Sequence, residues 1–133
     1  MIRIVAFLLM FPALAAAQVP ARDAAQAVIS AQIAAFESSD LATAYGYASP
    51  FIQHMFPSPE RFGAMVEQGY PMIWRPATFR YLDARLTEGA LVQRVMFTDA
   101  QGRLFLFDYD MIETPQGVRI NGVRPVRGGE AGA

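Results

Sequence analysis

Apolar positions recur along this chain with two different periods. Between residues 23 and 38 they fall on Ala25, Ile29, Ile33 and Phe36, spaced four, four and three, which puts them on one face of a helix. Asp40 follows as an N-cap for a second, short helix through Ala42, Ala44, Tyr45 and Ala48. Ser49-Pro50 is expected to stop it, because the residue before a proline is pushed out of the helical region. Residues 51–56 then read as a short turn. Ser58-Pro59-Glu60 reads as the N-cap, first residue and first-turn acid of a third helix to about Gln68, closed by Gly69. After Tyr70-Pro71 the pattern becomes alternation. Residues 77–86, 91–98, 103–113 and 118–126 read as four strands, joined by short loops suited to antiparallel hairpins. The expectation is an α+β domain: N-terminal helices packed on a curved, mainly antiparallel four-stranded sheet, cone-like in outline.

Hairpin lengths extend this to a face-by-face prediction. A two-residue turn at Glu88-Gly89 sets Asp83 opposite Arg94 and Tyr81 opposite Met96. A symmetric loop over residues 99–102 sets Arg94 opposite Phe107, Met96 opposite Phe105 and Val92 opposite Tyr109. One face would then carry aromatic and methionine side chains crossed by an Asp83/Arg94 pair. The other would carry Leu91, Gln93, Val95, Phe97, Leu106, Asp108 and Asp110. A slip of one residue in either turn exchanges a strand's two sides. Both faces are apolar, so helices are expected over one and a second copy or another partner over part of the other.

The N-terminus changes the composition. Residues 1–17 hold Arg3, then an apolar run ending in Ala15-Ala16-Ala17 before Gln18, the layout of a secretory signal cleaved after Ala17. The apolar run is shorter than the roughly 20 residues a membrane-spanning helix needs. The expected organisation is a signal peptide at 1–17, one domain over 18–126 and a disordered tail at 127–133, in a periplasmic or secreted protein that leaves the membrane on cleavage. Of the whole chain 53% is hydrophobic, but the leader inflates that figure. The remaining residues have a net charge of about −2. All 11 basic residues are arginine, and there is no cysteine, which excludes disulfides, thiol nucleophiles and a lipid-bearing cysteine. The near-neutral charge gives no basis for a nucleic-acid partner.

Several segments carry a family resemblance: AVISAQIAAFESSDLATAYGYASPFIQ, FGAMVEQGYPMIWRP, VQRVMFTDAQGRLFLFDYDM and RINGV, together most of residues 25–123. Their anchors are Ala48-Ser49-Pro50, Gly69-Tyr70-Pro71 with Arg75-Pro76, and Gln93-Arg94-Val95. In order and spacing they resemble a bacterial family, domain-of-unknown-function family 4864. The helices-then-meander order is also similar to the ketosteroid-isomerase-like (nuclear-transport-factor-two-like) cone. That likeness implies a fold and often a dimer, and it implies no reaction, because the fold hosts many. The family likeness further implies a cysteine near Val123 in relatives; valine here removes any thiol role at that point.

The candidate chemistry is sparse. Asp83 and Arg94, with the hydroxyls of Tyr81 and Tyr109 and with Trp74 on the turn into the sheet, form the candidate ligand-binding set, since a small-molecule pocket needs a few polar groups in an apolar wall. A structural ion pair competes with that reading. Asp108 and Asp110 share a face of one strand; buried together, one would be a candidate acid, while a solvated strand end is the competing reading. His54 has no second histidine to complete a metal motif. Tyr45, Tyr47, Phe51, Phe56, Phe62 and Tyr70 are candidates for a cavity mouth or for core. Nucleotide, Ca²⁺ and GxSxG motifs are absent, and neither a cofactor nor a metal is expected. The expectation is binding of a small apolar ligand or a partner protein without catalysis, with catalytic residues unassigned. The alternative is an isomerase- or hydrolase-type enzyme using a carboxylate in the cone cavity.

Overall fold

Helix α1 (Ala13–Glu37) buries Ala25, Ile29, Ile33 and Phe36, the four positions its periodicity singled out. A fully buried Ile or Phe contributes about 1.5–3 kcal/mol, so this stripe is the main anchor of the helix. The computed structural model describes residues 13–127, with side chains from residue 21 onward. The expected tail after Arg127 and most of the expected leader lie outside the described residues. At the C-terminal end of α1, Ser39 takes a left-handed φ of 58° while the Asp40 amide donates to the Ala35 carbonyl at 2.8 Å. That turn closes the helix and delivers Asp40 as N-cap of α2 (Leu41–Gly46), where its carboxylate accepts from the Thr43 amide and hydroxyl.

Three prolines then start three helices. Pro50, Pro59 and Pro71 each stand in the first turn of α3 (Pro50–Met55), α4 (Pro59–Gly69) and α5 (Pro71–Trp74), where a missing N–H costs no intrahelical bond. The expected turn at residues 51–56 is therefore corrected to a helix. Ser49-Pro50 does end α2, yet it also caps α3, with Ser49 Oγ accepting from the Ile52 amide and donating to Asn121 Oδ1 at 2.7 Å. The α5 turn was not foreseen; it has no side-chain cap.

Strands β1 (Thr78–Thr87), β2 (Ala90–Thr98), β3 (Leu104–Thr114) and β4 (Gly117–Pro125) form one antiparallel sheet in the order β1-β2-β3-β4. The α+β class, with helices packed against the sheet, stands as expected. The predicted register does not. The β2–β3 loop is asymmetric: the Asp99 carboxylate accepts from the amides of Gln101 and Arg103, and Thr98 pairs with Leu104. That one-residue difference sets Arg94 opposite Asp108 and Val95 opposite Phe107, moving the side chains of β2 to the other face. In β1 the two-residue turn at Glu88-Gly89 is as expected, since Thr87 pairs with Ala90, but a bulge between Tyr81 and Ala84 shifts the pairing beyond it. Tyr81 therefore meets Val95 rather than Met96. A second bulge lies between Asp110 and Met111. Bulges bend the strands that carry them.

The helix-covered face consequently presents Leu91, Gln93, Val95 and Phe97 of β2 beside Phe107, Tyr109 and Met111 of β3, all buried. Gln93 satisfies the β1 bulge from inside the core: its Nε2 donates to the carbonyls of Leu82, Asp83 and Arg94, and its Oε1 accepts from Gln26 on α1. The chain between α2 and α3 runs along the outer edge of β4, with the Ser49 amide bonded to the Ile120 carbonyl and the Ile120 amide to the Tyr47 carbonyl. This pairing fixes where α3 starts relative to the sheet.

Candidate functional site

Between α1, α3 and α4 and the β3–β4 half of the sheet lies a cavity of about 310 Å³. Its lining includes Gln32 and Phe36 of α1, Phe62 and Val66 of α4, Tyr109 of β3 and Ile120 of β4. The outer wall is α3, which has no buried residue. Phe51 and Met55, four residues apart on that helix, belong to the wall and are 59% and 54% exposed, so the cavity reaches the surface there. Besides the packing of Ile52 and Phe56 against the core, hydrogen bonds hold α3 in place. The Tyr45 hydroxyl donates to the carbonyls of Gln53 and Phe56, and the Gln53 amide donates to those of Tyr45 and Ala48.

No lining residue is ionisable except Tyr70 and Tyr109. The polar groups in the wall are otherwise amides: Gln32, whose Nε2 donates to the Ala44 carbonyl at 3.0 Å, and Asn121. Tyr109 is 1% exposed, and among the described residues its hydroxyl has no hydrogen-bond partner. Burial pushes its pKa well above the ordinary tyrosine value, with the neighbouring Tyr81 adding to the effect, so the hydroxyl keeps its proton and remains a donor. A buried hydroxyl left unpaired costs about 1–3 kcal/mol, which makes Tyr109 the costly polar point of the helix-covered face.

The charges expected near this site sit elsewhere. Arg94 is on the open face of the sheet, where Nε and Nη2 bond the two carboxylate oxygens of Asp108 at 2.9 and 3.2 Å. Arg85 lies 3.5 Å from the same carboxylate, and Arg124 bonds Asp110. The expected Asp83/Arg94 pair on the aromatic face is corrected: Asp83 is exposed in the β1 bulge opposite Arg94, and Arg94 spends its fork on Asp108. The cause is the loop at Asp99, which turned β2 over. Asp108 and Asp110 do share a face, as expected. The solvated-end reading fails for Asp108, whose side chain is 7% exposed, and each aspartate has its own arginine. The Arg94 hydrogen bonds hold the Asp108 carboxyl below the usual range; burial opposes this, and the charges of Arg94, Arg85 and Arg124 add to it.

Of the candidate ligand-binding set, Tyr109 alone lines the cavity. Tyr81 is spent on α1, donating to the Gln26 carbonyl at 2.8 Å with Ser30 Oγ at 2.6 Å. Trp74 packs on Phe36 with ring centroids 5.3 Å apart and carries the Arg75 guanidinium 4.6 Å above its ring. Arg75 reaches the Phe36 carbonyl and Ser39 Oγ, so this pair clamps the end of α1. Phe51, Phe56, Phe62 and Tyr70 from the aromatic group do line the cavity; Tyr45 and Tyr47 do not. Gln32, Met65, Val66 and Asn121 were missed. The sequence signals that could have found them are Gln32 on the apolar stripe of α1 and Met65 and Val66 at i+3 and i+4 from Phe62 on α4; Asn121 has none.

Among the described residues no cluster of His, Asp and Glu could hold a metal ion, and no described helix is long and apolar enough to cross a membrane. Compared with known proteins, the chain matches no curated protein and no solved structure. Residues 18–131 match the family described as a domain of unknown function (DUF4864), and the chain belongs to that family.

Proposed function

We propose that this protein binds a small apolar ligand, without catalysis, in the cavity beneath α3. The observation that carries this is a wall of apolar side chains around about 310 Å³, opening at the exposed pair Phe51 and Met55. Ordinary small-molecule sites run from roughly 300 to 1,000 Å³, so the ligand is compact. An isomerase- or hydrolase-type reaction would need an acid or base at the ligand, and Asp83, Asp108 and Asp110 are not in the lining. The test is uptake of the neutral dye N-phenyl-1-naphthylamine. Saturable one-to-one fluorescence enhancement by the wild type, lost in a Met65→Trp variant that keeps its melting temperature, is the expected result. No enhancement, or equal enhancement by both proteins, would overturn the proposal.

The same reading takes the protein to be exported, cleaved after Ala17 and periplasmic or secreted. Pro20 supports this. It lies well inside α1 in the uncut chain, where it cannot donate to the Ala16 carbonyl, and cleavage would leave it in the first turn. The matched family span also begins at residue 18. An intact-mass measurement of secreted material beginning at Gln18 is the expected outcome; retention of Met1 would contradict it. A ketosteroid-isomerase-like cone is the fold type we propose for it, supported by helices that precede a bulged antiparallel meander over a cavity. We further propose a homodimer through the open sheet face, where Leu104 is 48% exposed beside Leu106 and Met96; light scattering showing only monomer would exclude it.

A further inference from the structure

Resting on the cavity reading above, we infer that the ligand's apolar body carries a hydroxyl group, which donates to the side-chain carbonyl oxygen of Gln32. Gln32 stands on the inner face of α1, one turn before Phe36, and both line the cavity. Its Nε2 donates to the Ala44 carbonyl at 3.0 Å. A carbonyl only accepts, so the nitrogen must face Ala44 and Oε1 must point away from it. Among the described residues nothing donates to that oxygen. It is not sealed in either: the closed-off polar atom without a partner among the described side chains is the Tyr109 hydroxyl. Gln32 is only 4% exposed, so the surface its oxygen keeps open lies in the cavity that the residue lines. The cavity therefore holds a fixed, unspent hydrogen-bond acceptor.

The rest of the wall decides what donates to it. A wholly apolar ligand seated there would strip water from Oε1 and return no partner, a cost that a matching donor avoids. An ammonium group would donate too, but the wall holds no Asp or Glu to offset its lost hydration. Asn121, the second amide of the wall, is turned the other way. Its Oδ1 accepts from Ser49 Oγ at 2.7 Å, and its N–H groups have no acceptor among the described residues. A hydroxyl suits both amides, because it donates to Gln32 while its own lone pairs stay available to an N–H. The bond to Ala44 fixes the Gln32 side chain before a ligand arrives, so little freedom is lost on binding.

Two probes of nearly the same shape, 2-naphthol and 2-methylnaphthalene, differ in a hydroxyl for a methyl. Each would be titrated at pH 6, where both are uncharged, and followed by NMR of protein labelled in its methyl groups and glutamine side chains. Naphthol should bind about three- to tenfold more tightly, the range of one net hydrogen bond. The Gln32 side-chain carbonyl resonance should move downfield with naphthol and not with methylnaphthalene. In Gln32→Met the preference for naphthol should disappear while methylnaphthalene still binds. Should that variant not fold, the Gln32 resonance of the wild type decides alone. Equal affinities in the wild type, a Gln32 resonance that does not distinguish the probes, or a preference that survives in folded Gln32→Met would overturn the inference. Each of these leaves the cavity reading in place. Failure of both probes to bind, or shifts that avoid Ile52, Met65 and Val66, would overturn both.

Discussion

On the helix-covered face of the sheet the buried polar groups are amides and hydroxyls; on the open face they are ions. Gln93, Gln26, Tyr81 and Ser30 form a neutral network that ties the β1 bulge to α1, and the buried Tyr109 hydroxyl has no partner among the described residues. On the other side of the same strands, Arg94 grips Asp108 with two hydrogen bonds, and Arg85 and Arg124 flank it. The difference follows from solvent access. An ion pair at a sheet face keeps part of its hydration, since Arg94 is 29% exposed. Under the helices a charge would lose all of it. Placing the charges outside leaves the inner face able to form an apolar cavity whose wall holds no Arg, Asp, Glu or His.

The contrast can be broken at four positions. Gln93→Leu should have the largest effect, about 3 kcal/mol of lost stability, because it strands the bulge carbonyls in the core. Urea unfolding that shows a loss under about 1 kcal/mol would mean the bulge has other partners. Arg94→Met should cost about 2 kcal/mol at pH 7, less than a fully buried pair because Arg94 is partly exposed and Arg85 remains close. Its effect should depend on pH. Folding lowers the Asp108 pKa, so the pair's contribution is complete above the unfolded carboxyl value near 3.8 and is lost as pH falls through the lower folded one. Unfolding curves of the two proteins should therefore converge in strong acid; a constant difference would contradict the assignment.

Tyr109→Phe acts in the other direction. It should raise stability by about 1 kcal/mol, by deleting an unsatisfied buried hydroxyl while keeping the ring. A loss of similar size in thermal unfolding would show that the hydroxyl is satisfied. Phe51→Ser should be the smallest effect, within about 0.5 kcal/mol, as befits an exposed site. A drop of several degrees in melting temperature would mean that α3 is core rather than cavity wall.

The elements were legible where short-range chemistry decides. The stripe Ala25, Ile29, Ile33 and Phe36, the caps Asp40 and Ser58, and the alternation in all four strands each name their structure locally. Ser49-Pro50 carried the same signal as Ser58-Pro59, and reading it only as a stop concealed α3 and with it the outer wall of the cavity. The faces were not legible, because they hang on single residues. The Asp99 carboxylate draws one extra residue into a loop, and a bulge between Tyr81 and Ala84 adds another irregularity. Each changes which side chains meet without changing the hydrophobic pattern. The candidate pair Asp83/Arg94 was lost to these two features. Tyr109 kept its place because β3 needs no such correction relative to the helices.

The most direct test of the central claim compares the two faces in one titration. Methyl-labelled protein would be followed by NMR as 2-acetylnaphthalene is added, with Ile52, Met65, Val66 and Ile120 reporting on the cavity and Val92, Met96 and Leu106 on the open face. The predicted result is saturable shifts confined to the first group. Shifts confined to the second group, or none at saturation of the probe, would contradict a ligand site beneath α3.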